Sequence, residues 1–482
     1  MAHKDIIIIG AGLSGIGAAC HLARKNSNKS YLILESRKEL GGTWSLFKYP
    51  GIRSDSDMYT FGYSFKTWDN PKSFADAPSI LKYLNEAADE YKVLSHVLYQ
   101  QRVISYNFNS DKKQWEVTSK NSLTGEETVY TCNFIFNCGG YYNYDKGYTP
   151  EFKGQLDFKG KIIHPQLWPN ELDCSNKKIV VIGSGATAVT IIPKLAPICS
   201  HITMVQRSPT YIGMIPNKDK VGAFFKRLFP KKFAHFLIRV KNIGFQIFFF
   251  NICRAFPKTM KKFIIKGAEK QLGGFPVDPH FTPNYKPWEQ RFCIAPDGDF
   301  FRVIKEGKAS VITETIDYFT ENGILLKSGE TIEADIIITA TGLNLLPLGG
   351  ADISIDSKAF DISKSFVYKG VMLSDLPNYF IFVGYTNASW TLKSDLTSEY
   401  ISRVLHYLER HNYLGLEAHV IEADLKATPL LDLNSSYIHR SANKLPSQGD
   451  KAPWRVYQNY ILDYKMLRID RVKDRRLKFF KS

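Results

Sequence analysis

The chain has 482 residues, with 63 Lys and Arg against 47 Asp and Glu and a formal net charge of +16. Single hydrophobic cores stop growing at about 250–300 residues, so at least two domains are expected. With 44% apolar and 23% charged residues, the composition excludes a disordered or fibrous chain. It leaves nucleic acid, a membrane surface or anionic ligands to account for the basic excess.

Residues 5–15 read DIIIIGAGLSG. The uncharged run 6–20 has a signal-peptide flavour, but Asp5 precedes it and a glycine turn interrupts it. Gly10, Gly12 and Gly15 form G-x-G-x-x-G between a β-branched strand and a helical pattern. That spacing allows a tight turn, close approach of a pyrophosphate, and a helix packed near its strand. A second apolar strand, 31–34, ends at Glu35, 20 residues after Gly15, where a carboxylate holds the ribose hydroxyls of an adenosine. Without a ligand the same turn would only pack a helix; strand, spacing and acid together favour a nucleotide. Residues 41–57 then read GGTWSLFKYPGIRSDSD. This polar loop is a candidate for cofactor contact, with Asp55 either in the site or a solvated loop carboxylate.

A second copy, KIVVIGSGATA, starts at Lys178 and carries Gly183, Gly185 and Ala188. The strand 202–205 after it ends in Gln206, Arg207 and Ser208 in place of an acid. Losing the carboxylate and gaining an arginine suits a 2′-phosphate, so NADPH is expected over NADH; the plain alternative for Arg207 is a solvated surface residue. Two nucleotide folds in one chain predict a hydride relay between two cofactors, one of them a flavin. Residues 335–342, DIIITATG, predict a buried strand that returns the chain to the first fold.

Residues 218–270 lack strand alternation and are rich in Phe, Leu and Ile, with breaks at Pro230 and Pro257; a helical insertion is expected. Its uncharged stretch 242–253, bounded by Lys241 and Arg254, spans 12 residues, short of the roughly 20 that cross a bilayer. Seven cysteines, at 20, 132, 138, 174, 199, 253 and 293, include no CxxC pair. That excludes a disulfide scaffold, a zinc ribbon and a disulfide reductase, and fits a reducing cytoplasm with no metal site.

Between the two glycine turns stands Phe158, Gly160, His164, Trp168 and Pro169. This segment resembles the FxGxxxHxxxW(P/D) fingerprint of the type I Baeyer-Villiger monooxygenases, whose flavin-containing monooxygenase relatives carry Tyr or Phe in place of the Trp. In isolation, His164 and Trp168 would be one face of a packed helix; the flanking motifs favour the fingerprint. Segments such as YPGIRSDSDMYTFGYSF, GYYNYDKGY, QRSPTY, ITATGLN and GYTNASWTLK extend the likeness over the whole chain, nearest the ethionamide-activating subgroup. The resemblance implies FAD contacts at Gly10, Gly12, Ser14, Gly15, Glu35, Thr43, Trp44, Ser45, Leu46, Asp55 and Val103. It implies NADPH contacts at Arg53, Ser54, Asp55, Gly183, Ser184, Gly185, Ala186, Thr187, Ala188, Val189, Arg207 and Ser208. The family's essential arginine falls in PWEQRFCIAP as Arg291; its plain alternative is a surface ion pair. Gln290 departs from relatives with Lys before that arginine, which shifts 2′-phosphate recognition toward Arg207.

The implied activity is NADPH- and O2-dependent conversion of ketones to esters or lactones through a C4a-peroxyflavin, with oxygenation of thioethers or thioamides beside it. Arg291 would stabilise the anions and Asp55 would orient it. The expected architecture is α/β: an FAD domain of residues 1–150 and 343–482, and an NADPH domain, 151–342, that includes a basic helical insertion, 218–285. The alternatives are a flavin monooxygenase acting on nitrogen or sulfur, and a basic membrane-surface protein with a vestigial nucleotide fold.

The charge is local. Residues 218–270 hold 14 Lys/Arg against 2 Asp/Glu, and residues 465–482 hold 8 against 2. No nucleic-acid motif accompanies them, so nucleic acid is not an expected partner. Phe245–Phe250 flanked by Arg239, Lys241 and Arg254 suits peripheral contact with an anionic membrane; a solvated basic face is the other reading.

Overall fold

The computed structural model describes residues 3–430, 440 and 442–481. The isoleucine run forms β1 (His3–Ile9), which is followed by α1 (Leu13–Lys25) and β2 (Tyr31–Leu34). β1 lies parallel to β2 on one side and to strand Glu127–Asn137 on the other, with Ile8 between Ile33 and Phe136. Hydrophobic clusters cover both faces of this sheet. A strand with no solvated side reads as an unbroken apolar run rather than an alternating one. Strands Gln101–Asn109 and Gln114–Asn121 extend the sheet antiparallel, and Asp352–Ile355 and Tyr379–Ile381 join it from late in the chain.

The second glycine motif repeats the arrangement as β3 (Lys178–Ile182), α2 (Ala186–Leu195) and β4 (His201–Gln206). Its sheet has five parallel strands in the order Ala309–Thr313, β4, β3, Ile336–Thr339, Lys161–Ile163. The fold is α/β, with two sheets each opened by a glycine turn.

The chain passes between the sheets along Tyr142–Gly147 and returns along Leu343–Leu345, and these segments pair antiparallel. His164 pins the crossing. Its Nε2–H donates to the Gly342 carbonyl at 3.0 Å and its Nδ1 accepts the Gln166 N–H at 3.2 Å. A Cβ on Gly147 would lie 2.0 Å from the ring, so only glycine lets the outgoing segment pass. His164 and Trp168 flank a 3-10 turn, Pro165–Leu167, and do not share one face of a helix.

Three helices follow β4: α3 (Lys220–Leu228), α4 (Lys231–Ala255) and α5 (Pro257–Leu272). Pro230 and Pro257 stand at the junctions, where a missing N–H costs nothing. Gly273 closes α5 in the left-handed conformation, and residues 273–285 form no helix.

α4 corrects the sequence expectation of a 12-residue apolar stretch. It runs 25 residues and is long and apolar enough, by length and composition, to cross a membrane. The two charges in its middle are taken up by neighbours, while Lys231, Lys232 and Arg254 stay exposed near its ends. The Arg239 guanidinium donates to the carbonyls of Tyr59 (2.8 Å) and Gly62 (2.7 Å), and to Asp395 (3.2 Å) on α6 (Trp390–Arg410). Lys241 is taken by Asp219, while Asn242 and Gln246 donate to Asp57 at 2.7 and 3.1 Å. Arg239 and Lys241 are therefore not the cations that face outward. Burial pushes the Asp395 carboxyl up, but His21, Arg239 and the Ser64 N–H together hold it below the usual carboxylate range. Removing one partner of such a buried pair costs about 3–5 kcal/mol, which anchors α4 by its polar side.

Candidate functional site

A cavity of about 630 Å³ opens on the first glycine turn and reaches the start of α2, within the usual range for ligand sites. Gly10, at φ +91, turns the chain beneath it, and a Cβ on Gly15 would lie 1.9 Å from the Gly10 carbonyl oxygen, so α1 starts hard against β1. Gly12 and Gly42 face each other across the turn: a Cβ on Gly42 would come within 3.1 Å of the Gly12 Cα. Backbone is thereby exposed to the cavity from both sides. Glu35 lines it from the end of β2 and accepts the N–H groups of Ala11 (2.7 Å) and Arg37 (2.9 Å). Burial raises the Glu35 carboxyl, and these hydrogen bonds offset part of the rise. Each oxygen keeps lone pairs for a hydroxyl donor.

Of the residues implied for FAD, Gly10, Gly12, Ser14, Glu35, Thr43, Trp44, Asp55 and Val103 line this cavity. Gly15, Ser45 and Leu46 do not line it; Ser45 instead donates to the Gly42 carbonyl at 3.2 Å and braces the loop. Of those implied for NADPH, Arg53, Ser54, Asp55, Ala186 and Thr187 line it. Gly183, Ser184, Gly185, Ala188, Val189, Arg207 and Ser208 lie outside it. Gly183, at φ +128, meets the Ala340 carbonyl, whereas nothing stands within 4 Å of a Cβ on Gly185. Ser184 donates to the Ser208 carbonyl at 3.0 Å, which ties the second turn to the end of β4. Arg207 is exposed there, beside the open glycine. Alanine at the third position is buried in the core.

Arg53 lines the cavity and forms a forked pair with Asp299, one branch at 3.2 Å. That partner was not anticipated, because Asp299 is 246 residues away in sequence. Asp55 and Arg291 both line the same cavity. Burial raises the Asp55 carboxyl, and the charges of Arg291 and Arg53 pull it back. Arg291 stands two residues before strand Cys293–Pro296, and the loop that carries it is held by rings: Phe292 stacks on Trp288 at 5.9 Å and meets Phe249 of α4 at 5.7 Å. Phe158, Gly160, His164, Trp168 and Pro169 stay outside the cavity wall. Of these, His164 meets the crossing segments, while Phe158 and Trp168 pack on the cores of the second sheet.

The sequence reasoning did not single out the aromatic wall. Tyr49, Tyr141, Tyr142, Tyr144, Tyr385 and Trp390 all line the cavity. The Trp390 N–H donates to the Ser14 hydroxyl at 3.0 Å, and the Tyr144 hydroxyl meets that of Thr43 at 3.2 Å. The tyrosine cluster at 141–144 was a visible signal, since it follows the end of a strand of the first sheet.

The chain matches the family model described as Flavin-binding monooxygenase-like over residues 3–408. It is 49% identical over 481 residues to the FAD-containing monooxygenase EthA of Mycolicibacterium smegmatis, covering 99% of this chain and 97% of that one. It is 46% identical to the probable FAD-binding monooxygenase AlmA of Acinetobacter baylyi, covering 100% and 97%. Among solved structures, an oxidized steroid monooxygenase bound to NADP superposes with a TM-score of 0.76 over 100% of both chains, at 20% identity. An open cyclohexanone monooxygenase gives 0.70 over 87% of this chain and 90% of that one, at 21%. At such identities the structures speak for the fold, while the family match and the near-full-length relatives speak for descent: this chain belongs to the flavin-binding monooxygenase-like family.

Proposed function

We propose that the protein is an FAD- and NADPH-dependent monooxygenase that inserts one atom of O2 beside a ketone carbonyl, giving an ester or lactone. In this reading residues 1–150 and 343–482 hold FAD, and residues 151–342 hold NADPH. The observation that carries it is the convergence on one cavity of the first glycine turn, the start of α2, and the pair Asp55 and Arg291. The facing glycines 12 and 42 leave bare backbone for a pyrophosphate, and Glu35 stands where adenosine hydroxyls would reach it. The residues present therefore fit FAD.

Bound FAD would supply the redox chemistry, taking hydride from NADPH and activating O2. The chain supplies the electrostatics. Oxygen insertion beside a carbonyl builds negative charge on the carbonyl oxygen, and the Arg291 guanidinium stays protonated at any working pH to meet it. Asp55 orients that guanidinium through its opposite charge. Tyr49, Tyr142, Tyr144 and Trp390 wall the site and displace water that would compete for the same donors. Arg207, at the open end of β4, would read the 2′-phosphate. Seven free cysteines, six of them buried, fit a reducing compartment.

The test is product analysis by mass spectrometry with a panel of ketones and one thioether. Esters from ketones support the proposal. Sulfoxide alone moves the activity to heteroatom oxygenation.

A further inference from the structure

α4 is amphipathic in the wrong sense for a soluble helix. The polar residues of its middle turns face the protein: Arg239, Asn242 and Gln246 are all spent on acceptors beneath the helix, while Lys231, Lys232 and Arg254 near its ends are exposed. Ala234, Ile238, Ile243 and Cys253 pack inward, yet a second set of apolar residues faces out. Phe233, Phe236, Val240 and Phe248 recur at helical spacing on the outer side, with Phe236 55% and Phe248 63% exposed. α3 continues the face with Val221, Phe224 and Leu228. The rings form a connected chain, Phe224 to Phe225 (6.2 Å), Phe229 (6.3 Å), Phe233 (5.3 Å) and Phe236 (6.3 Å). Scattered exposed apolar residues need no explanation, but a connected apolar face marks an interaction site.

Charge selects the occupant. The segment that carries this face, 218–270, holds 14 Lys/Arg against 2 Asp/Glu; Arg227 of α3, Lys232 of α4, and Lys258 and Lys262 of α5 are all exposed. A second copy of the chain would set this basic patch against itself in a two-fold contact, with like charges opposed. An anionic bilayer offers both an apolar interior for the rings and negative headgroups for the lysines. Spanning is excluded by the inner face, because Arg239 and its neighbours are fixed to the protein rather than free to meet lipid. The helix must lie in the plane of the surface.

We propose that the outer face of α3 and α4 docks the enzyme on anionic phospholipid, with the phenylalanines in the headgroup boundary and the lysines on phosphate. The inner side of the same helix, at Ile243, Gln246 and Ile247, lines a small hollow that shares Tyr385 and Ala388 with the main cavity. Docking therefore brings the bilayer to the side of the molecule nearest that end of the cavity, where a lipophilic substrate would arrive.

The experiment is flotation of the flavin-loaded enzyme with phosphatidylcholine vesicles, with and without phosphatidylglycerol. The enzyme should float with the anionic vesicles alone, and high salt should release it. Phe236→Ser with Phe248→Ser, and separately Lys232→Glu, should each weaken binding at least about tenfold. NADPH oxidation on a water-soluble ketone should not change, since none of these residues touches the cavity. An enzyme that stays in solution with anionic vesicles overturns the proposal, as does a double variant that floats like the parent. A shift of the double variant to a smaller species in vesicle-free buffer also overturns it, by showing that a second copy covers the face. Because NADPH oxidation is read separately, failure to float leaves the oxygenase proposal standing.

Discussion

The two glycine turns share a strand, a turn and a helix, yet they are built differently. The first is closed. Gly42 leans against Gly12, a Cβ at Gly15 has no room, and the acid that follows β2 is bonded to the turn itself. The second is tight at Gly183 but open at its middle glycine: nothing lies within 4 Å of a Cβ on Gly185, the third position carries a buried alanine, and exposed Arg207 replaces the acid. An enclosed turn suits a group that stays, and an open one suits a group that comes and goes. Under the proposed function, one motif would serve a resident cofactor and an exchanging one through what surrounds its glycines.

The strongest way to break this comparison is to add one methyl group to each turn. Gly15→Ala places a carbon 1.9 Å from the Gly10 carbonyl; soluble protein carrying it should lose nearly all flavin absorbance. Gly185→Ala meets nothing and should keep its full flavin content. Equal losses in both would erase the distinction.

Next in size is Arg291→Ala. Removing one electrostatic stabiliser of this kind costs about 10²- to 10³-fold in rate, so ester formation should fall by that factor in a product assay. Stopped-flow reduction of the flavin by NADPH should persist. An equal fall in reduction would move Arg291 from oxygen insertion to nicotinamide binding.

Arg207→Ala sharpens the open side. Losing a charge-assisted contact of about 1.5–3 kcal/mol should raise KM for NADPH roughly tenfold to a hundredfold, with KM for NADH little changed. A parallel rise in both would show that Arg207 does not read the 2′-phosphate.

The smallest effect concerns pH. Burial, only partly offset by Arg291 and Arg53, raises the Asp55 carboxyl above its usual range. As pH falls through that raised value Asp55 takes up a proton, Arg291 loses its orienting charge, and ester formation should decline. In Asp55→Asn this acid limb should vanish, giving a lower rate that is flat in the same window. A limb that survives the substitution belongs to another group.

The fold class was legible because β1 and β3 are sandwiched strands with glycine turns, and local sequence dictates both. Glu35 was legible for the same reason, lying at a fixed offset along the chain. The pairing of Arg53 with Asp299 was not, since it joins residues brought together only by the packing of one sheet's loops on the other's helices. Arg291 rested on family likeness alone, because nothing local marks one cation among 63 Lys and Arg. The inverted polarity of α4 was hidden too: Arg239 and Lys241 read as breaks in an apolar run, and only their inward acceptors show that the outer face is continuous.

Oxygen insertion is tested most directly by supplying ¹⁸O2 with NADPH and a ketone that the enzyme consumes, and weighing the product. The expected product is an ester or lactone that carries one ¹⁸O atom, formed in proportion to NADPH oxidised. NADPH consumption that yields only hydrogen peroxide, or an ester whose new oxygen comes from water, would contradict it.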